Sequence, residues 1–105
     1  MSKVLIVDDE RSIRHTLRDI LEFEKYEVDE ACDGMEALVK IKQSPYDVII
    51  LDIKMPKMDG MDALDRIQEI ARETPVVMIS GHASIDTAVE AVKKGAFDFI
   101  SKPPD

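Results

Sequence analysis

The sequence predicts an α/β protein built on a doubly wound, five-stranded parallel sheet. Two observations carry that expectation. Short apolar runs alternate with amphipathic helical stretches along the chain, the pattern of a parallel sheet with crossover helices. Three of the runs, at 4–7, 48–51 and 76–79, are continuously apolar, as strands covered on both faces should be.

Each element can be justified in turn. The first strand is KVLIV at 3–7. Ile13, Leu17, Ile20 and Leu21 then share one face of a helix. A second strand, EVDEA at 27–31, is followed by Asp33-Gly-Met-Glu36, which has the form of a capping box with Asp in the Ser/Thr position. Ala37, Leu38 and Ile41 continue that second helix. The third strand is DVIIL at 47–51, and Leu64, Ile67 and Ala71 mark the third helix. The fourth is PVVMI at 75–79. Ile85, Ala88, Val89 and Val92 form the last apolar stripe, closed by Gly95 as a C′ residue. FDFI at 97–100 is the fifth strand. EVDEA and FDFI alternate in polarity, which places them at the sheet edges. The order 2-1-3-4-5 follows, the flavodoxin-like arrangement, whose ligands bind beyond the carboxyl ends of strands 1 and 3.

Composition narrows the function. With 105 residues the chain holds one core and one domain. Twenty-two acids against 14 bases give a formal charge of −8, which argues against direct nucleic-acid binding. No stretch reaches the ~20 apolar residues of a membrane span, and no signal peptide opens the chain, so a cytoplasmic location is expected. The lone Cys32 permits no internal disulfide and reads as a small side chain packed near a strand end.

The strand ends carry the chemistry. Strand 1 runs into Asp8-Asp9, strand 3 into Asp52, strand 4 into Ser80 and strand 5 into Ser101-Lys102-Pro103. Two carboxylates ~4 Å apart repel by roughly 4 kcal/mol at an effective dielectric of ~20, so their convergence needs compensation. Asp9 or Glu10 could simply cap the first helix, but capping leaves Asp52 unexplained. A hard cation such as Mg2+ would reverse the repulsion. An ionised Asp52 beside it could attack phosphorus, with Lys102 and Ser80 supporting the phosphoryl oxygens. Taken singly, a Lys near a chain end is usually solvated and a Ser before Gly usually marks a turn.

The segments "VLIVDDE", "YDVIILDIKMPKMDG", "PVVMISGHAS" and "KKGAFDFISKP" in this order resemble the receiver domain of bacterial two-component response regulators. Within that family the stretch from Ser80 to Pro103 is most similar to receivers of the nitrogen regulatory protein C type. The resemblance implies Asp52 as phosphoacceptor. It implies Mg2+ held by Asp8, Asp9, Asp52 and the backbone carbonyl of Lys54. It also implies Ser80 as switch hydroxyl, Phe99 as switch aromatic, Lys102 as the phosphate-pairing lysine, and a cis Lys102–Pro103 bond. A sensor histidine kinase would be the phosphoryl donor. The surface around the fourth helix and fifth strand would then engage a second copy or an output domain, controlling transcription through domains absent here. The chain would be a phosphoacceptor assisting its own phosphorylation and dephosphorylation, not a conventional enzyme. Lys54 and His82 would tune hydrolysis by controlling water. Met78, Ala83, Ile85 and Ala88 read equally as residues near the moving region or as plain core.

Three departures from the family stand out. Phe99 replaces a frequent Tyr, Pro103-Pro104 after Lys102 stands where Lys-Pro-Phe is common, and the chain stops at Asp105 without the usual fifth helix. The first helix cannot cover five strands alone, so apolar residues near strands 4 and 5 should be exposed. A truncated regulator is the favoured reading and a partner-completed face the other. Among functions, a phosphorylation-independent interaction module of the same fold is the alternative. A phosphatase with an Asp nucleophile after strand 1 is disfavoured by "DDE", and flavin binding by the acidic "DDERS" loop.

Overall fold

The computed structural model describes residues 2–81 and 84–102. Its elements are β1 (Lys3–Val7), α1 (Arg11–Phe23), β2 (Glu27–Ala31), α2 (Gly34–Gln43), β3 (Val48–Asp52), α3 (Gly60–Ile70), β4 (Val76–Ser80), α4 (Ile85–Lys93) and β5 (Asp98–Ser101). All strand pairings are parallel and the order is β2-β1-β3-β4-β5, as expected. The third, fourth and fifth strands begin one residue later than the apolar runs suggest. Pro75 has no N–H for a ladder and serves only as acceptor for Ile49 N–H. Asp47 is occupied ahead of its strand by bonds to both backbone groups of Lys3. The shift matters, because it makes Asp52 and Ser80 the last residues of rigid strands rather than the first of loops.

Side-chain alternation divides the apolar residues between two faces. On one face Leu5, Val7, Ile49, Leu51 and Met78 pack with Ala37, Leu64 and Ile67 in the main core. On the other, Val4, Ile6 and Val28 meet Leu17 and Leu21 of α1. Among the described residues, right-handed crossovers put α1 alone on that second face. Ile50 and Val77 there are half-buried and Ile100 is 50% exposed, although Ile79 is buried.

Two helical stripes need correction. Ile20 lies outside the buried face of α1 at 54% exposure. In α4 the expected stripe faces outward: Ile85, Val89 and Val92 are exposed, while Ala91 is buried with Thr87 and Ala88 beside it. The helix docks through its small residues, and its larger apolar residues form a surface. The other helix signals behave as read. Asp33 accepts from Glu36 N–H at 2.8 Å, and Glu36 reaches back to Cys32 N–H at 2.7 Å, one residue earlier than an ordinary capping box. Cys32 is exposed, not packed, because the chain turns away from the sheet directly after Ala31. Gly95 has φ +104° just beyond α4, the left-handed conformation of a C′ glycine.

Candidate functional site

The carboxyl ends of β1, β3, β4 and β5 bring the sequence-predicted residues together. Asp8 follows β1 and is fully buried, and Asp52 closes β3 at 1% exposure. Ser80, also buried, closes β4, and its carbonyl accepts the backbone N–H of Lys102 at 2.9 Å. That bond aims the lysine across the sheet. Lys102 Nζ stands 3.1 Å from Asp8 Oδ2, 3.3 Å from Asp52 Oδ2 and 3.0 Å from Glu10 Oε1. A cavity of about 230 Å³ opens here, lined by Asp9, Glu10, Asp52, Lys54, Ser80 and Lys102. Asp9 and the side chain of Lys54 are exposed at its rim.

Local sequence explains the placement. Asp8 Oδ1 accepts Glu10 N–H at 2.8 Å, which ties the acid to the entry of α1. Glu10 occupies the N-cap position, yet its side chain caps nothing and turns to Lys102 instead. The capping explanation for Asp9 and Glu10 is thereby replaced. After Asp52 the "IKMPKMDG" loop folds back tightly: Gly60 N–H bonds Ile53 O at 2.6 Å, and Lys57 takes φ +71°. Asp59 then caps α3 through Asp62 N–H.

Electrostatics makes the acids unusual. Burial, and then the neighbouring charge of Asp8, pushes the Asp52 carboxyl up to about 6, against the pull of Lys102 and of Lys54 N–H. Asp8 is raised too, again mainly by burial. Burial works against the Lys102 ammonium, but Glu10, Asp8 and Asp52 outweigh it and hold the charge. Asp8 Oδ2 and Asp52 Oδ2 accept no hydrogen bond among the described residues and meet Lys102 only as ion pairs. Asp8, Asp9 and Glu10 can bring one oxygen each within 4.8 Å of the others. One under-satisfied buried oxygen on a member of that cluster, Asp8 Oδ2, and a second beside it, Asp52 Oδ2, fit a hard divalent cation. Asp52 is tied to the cluster through Lys102 rather than belonging to it.

Phe99 lies on β5, half-buried against the main core. His82, Ala83 and Pro103-Pro104, and with them the Lys102–Pro103 bond, lie outside the described residues. Sequence reasoning missed the Glu10–Lys102 bond and a second support, Arg14. The Arg14 guanidinium donates to the Asp8 carbonyl oxygen at 2.7 Å and to Glu30 at 2.9 Å. Its position one turn into α1 after an acidic pair was the available signal.

A model of the response regulator receiver domain matches residues 4–105. The nitrogen assimilation regulatory protein NtrX of Azorhizobium caulinodans is 47% identical over 102 residues, covering 95% of this chain and 22% of that protein. A beryllofluoride-activated NtrC4 receiver domain dimer superposes with a TM-score of 0.93 at 48% identity, covering all of this chain and 87% of that one. The CheX–CheY–BeF3–Mg2+ complex of Borrelia burgdorferi gives a TM-score of 0.94 at 39% identity, covering 99% of this chain and 80% of the matched one. The chain spans less than half the length of the curated relatives it matches, 23% of Escherichia coli AtoC for instance.

Proposed function

The chain belongs to the response regulator receiver domain family, and from that premise we propose that it is a phosphorylation-dependent switch whose phosphoacceptor is Asp52. The observation that carries this is the meeting of buried Asp52 with Asp8 and Lys102 at three strand ends. A sensor histidine kinase is the proposed donor. A carboxylate oxygen of Asp52 attacks phosphorus, the P–N bond of the donor phosphohistidine breaks, and the imidazole nitrogen keeps the bonding pair. Lys102 pairs with the phosphoryl oxygens, and Ser80, at the end of the neighbouring strand, is placed to hydrogen-bond one of them.

Asp8, Asp9, Asp52 and the Lys54 carbonyl would hold Mg2+. The ion supplies charge neutralisation for the acids and the incoming phosphoryl group. The chain thus assists its own phosphorylation and dephosphorylation without being a conventional enzyme. Among the described residues no helix is long and apolar enough to cross a membrane, and a cytoplasmic setting beside the kinase is part of the proposal.

Phosphorylation would bias two existing conformations, with Ser80 and Phe99 as the moving parts. The outward residues Ile85, Val89 and Val92 of α4, with Ile100 on β5, supply the responsive surface for a second copy or an output domain. Transcription control through such a domain is the proposed output. Light scattering with and without Mg2+ and beryllofluoride tests the second copy. An unchanged mass would remove it.

The central experiment is intact mass after incubation with acetyl phosphate and Mg2+, beside Asp52→Asn. One added phosphoryl group, absent from the variant and without metal, is expected. A protein that folds and binds Mg2+ but gains no mass would instead be a phosphorylation-independent interaction module.

A further inference from the structure

Glu10 and Lys102 are 92 positions apart, and their contact has no part in the phosphotransfer step described above. At 3.0 Å it is the shortest of the three contacts the ammonium makes with acids among the described residues. The Glu10 side chain is 57% exposed and that of Lys102 only 11%. A carboxylate at the rim therefore reaches inward to hold a largely buried cation.

One ammonium serves three carboxylates in this arrangement. A divalent cation among Asp8, Asp9 and Asp52 takes two of those partners and repels the ammonium. Glu10 is the partner left to it. A phosphoryl group on Asp52 then requires the same ammonium. Glu10, fixed at the entry of α1 on the same cavity, competes for the ammonium and adds a negative charge beside the phosphoryl oxygens.

We infer that Glu10 is a positioning residue for Lys102, holding it aside so that the divalent cation can enter and opposing its transfer to the phosphoryl group. The inference rests on the phosphoacceptor reading of Asp52. It gives Glu10 opposite effects on two successive binding events, which neither a metal ligand nor a purely structural residue would have.

The test is calorimetric titration of the whole chain, wild type and Glu10→Gln, first with Mg2+ and then with beryllofluoride at saturating Mg2+. Mg2+ affinity should fall roughly threefold in the variant, and beryllofluoride affinity should rise roughly threefold to tenfold. A parallel loss of both, or no change in beryllofluoride affinity, overturns the inference while wild-type binding leaves the phosphoacceptor reading intact. Wild type that binds Mg2+ but not beryllofluoride overturns that reading, and the role of Glu10 with it.

Discussion

Gly60 lies directly against the backbone of Asp52: a Cβ at Gly60 would stand 2.2 Å from the Asp52 carbonyl oxygen and 2.6 Å from Ile53 Cα. Both neighbours are backbone, so neither can swing aside. The start of α3 and the end of β3 therefore share one closely fitted joint, and the acid at that joint is the proposed phosphoacceptor.

Gly60→Ala should accordingly cost more than an ordinary helix substitution would gain. Overpacking of this kind costs about 1–3 kcal/mol or more, against a gain of under ~1 kcal/mol from helix propensity. Chemical denaturation should show the loss, and Mg2+ affinity should fall with it as Asp52 shifts. An unchanged denaturation midpoint would mean that the joint opens freely.

Asp52→Asn should have the opposite effect on stability in metal-free buffer. Raising the carboxyl from 3.8 to about 6 amounts to about 3 kcal/mol of strain in the ionised form at neutral pH. Asn removes the charge but keeps a polar group to desolvate, so a net gain of about 1–3 kcal/mol is expected. Denaturant melts in EDTA measure this directly, and a less stable variant would show that Lys102 already satisfies the acid.

The same raised carboxyl sets a pH dependence. Its ionisation costs nothing below the unfolded value near 3.8, and the full cost is present above about 6. Metal-free protein should therefore melt higher at pH 5 than at pH 7. Acids held low act outside that window, Asp29 and Glu30 among them. The Tyr46 hydroxyl holds Asp29 below its ordinary value, and although burial opposes it at Glu30, Arg14 and Arg18 hold that acid low as well. Their contributions fade only at lower pH. Added Mg2+ should raise the melting temperature at pH 7 and do so less at pH 5, where protons compete for Asp52. Equal shifts at both pH values would remove Asp52 from the metal site.

Much of this site was legible because parallel strands deliver their last residues to one edge. The VLIV run, covered on both faces, fixes the direction of β1 and hence where Asp8 goes. Asp52, Ser80 and Lys102 follow by the same rule. The face of α4 was not legible: periodicity finds the stripe of Ile85, Val89 and Val92 but not whether sheet or solvent meets it. Ala88 and Ala91 win the inner position because α4 packs closely on β5. Nor could spacing reveal that Glu10 turns to Lys102, since a long-range side-chain pair leaves no local period.

Arg14 supplies the last prediction. Its guanidinium bridges the Asp8 carbonyl oxygen and Glu30, and Arg18 meets the other Glu30 oxygen. The three side chains keep 15% to 36% of their exposure, so solvent screens the network and reduces what it contributes. Glu30→Gln should then cost about 1–2 kcal/mol, below the loss for a fully buried pair. Arg14→Gln should cost a similar amount and also loosen Asp8, lowering Mg2+ affinity. Arg18→Gln removes a guanidinium from Glu30 but leaves the Asp8 carbonyl held, so its Mg2+ affinity should stay near wild type. Equal metal affinities in the two arginine variants would show that the network supports only the β2 edge and not the site.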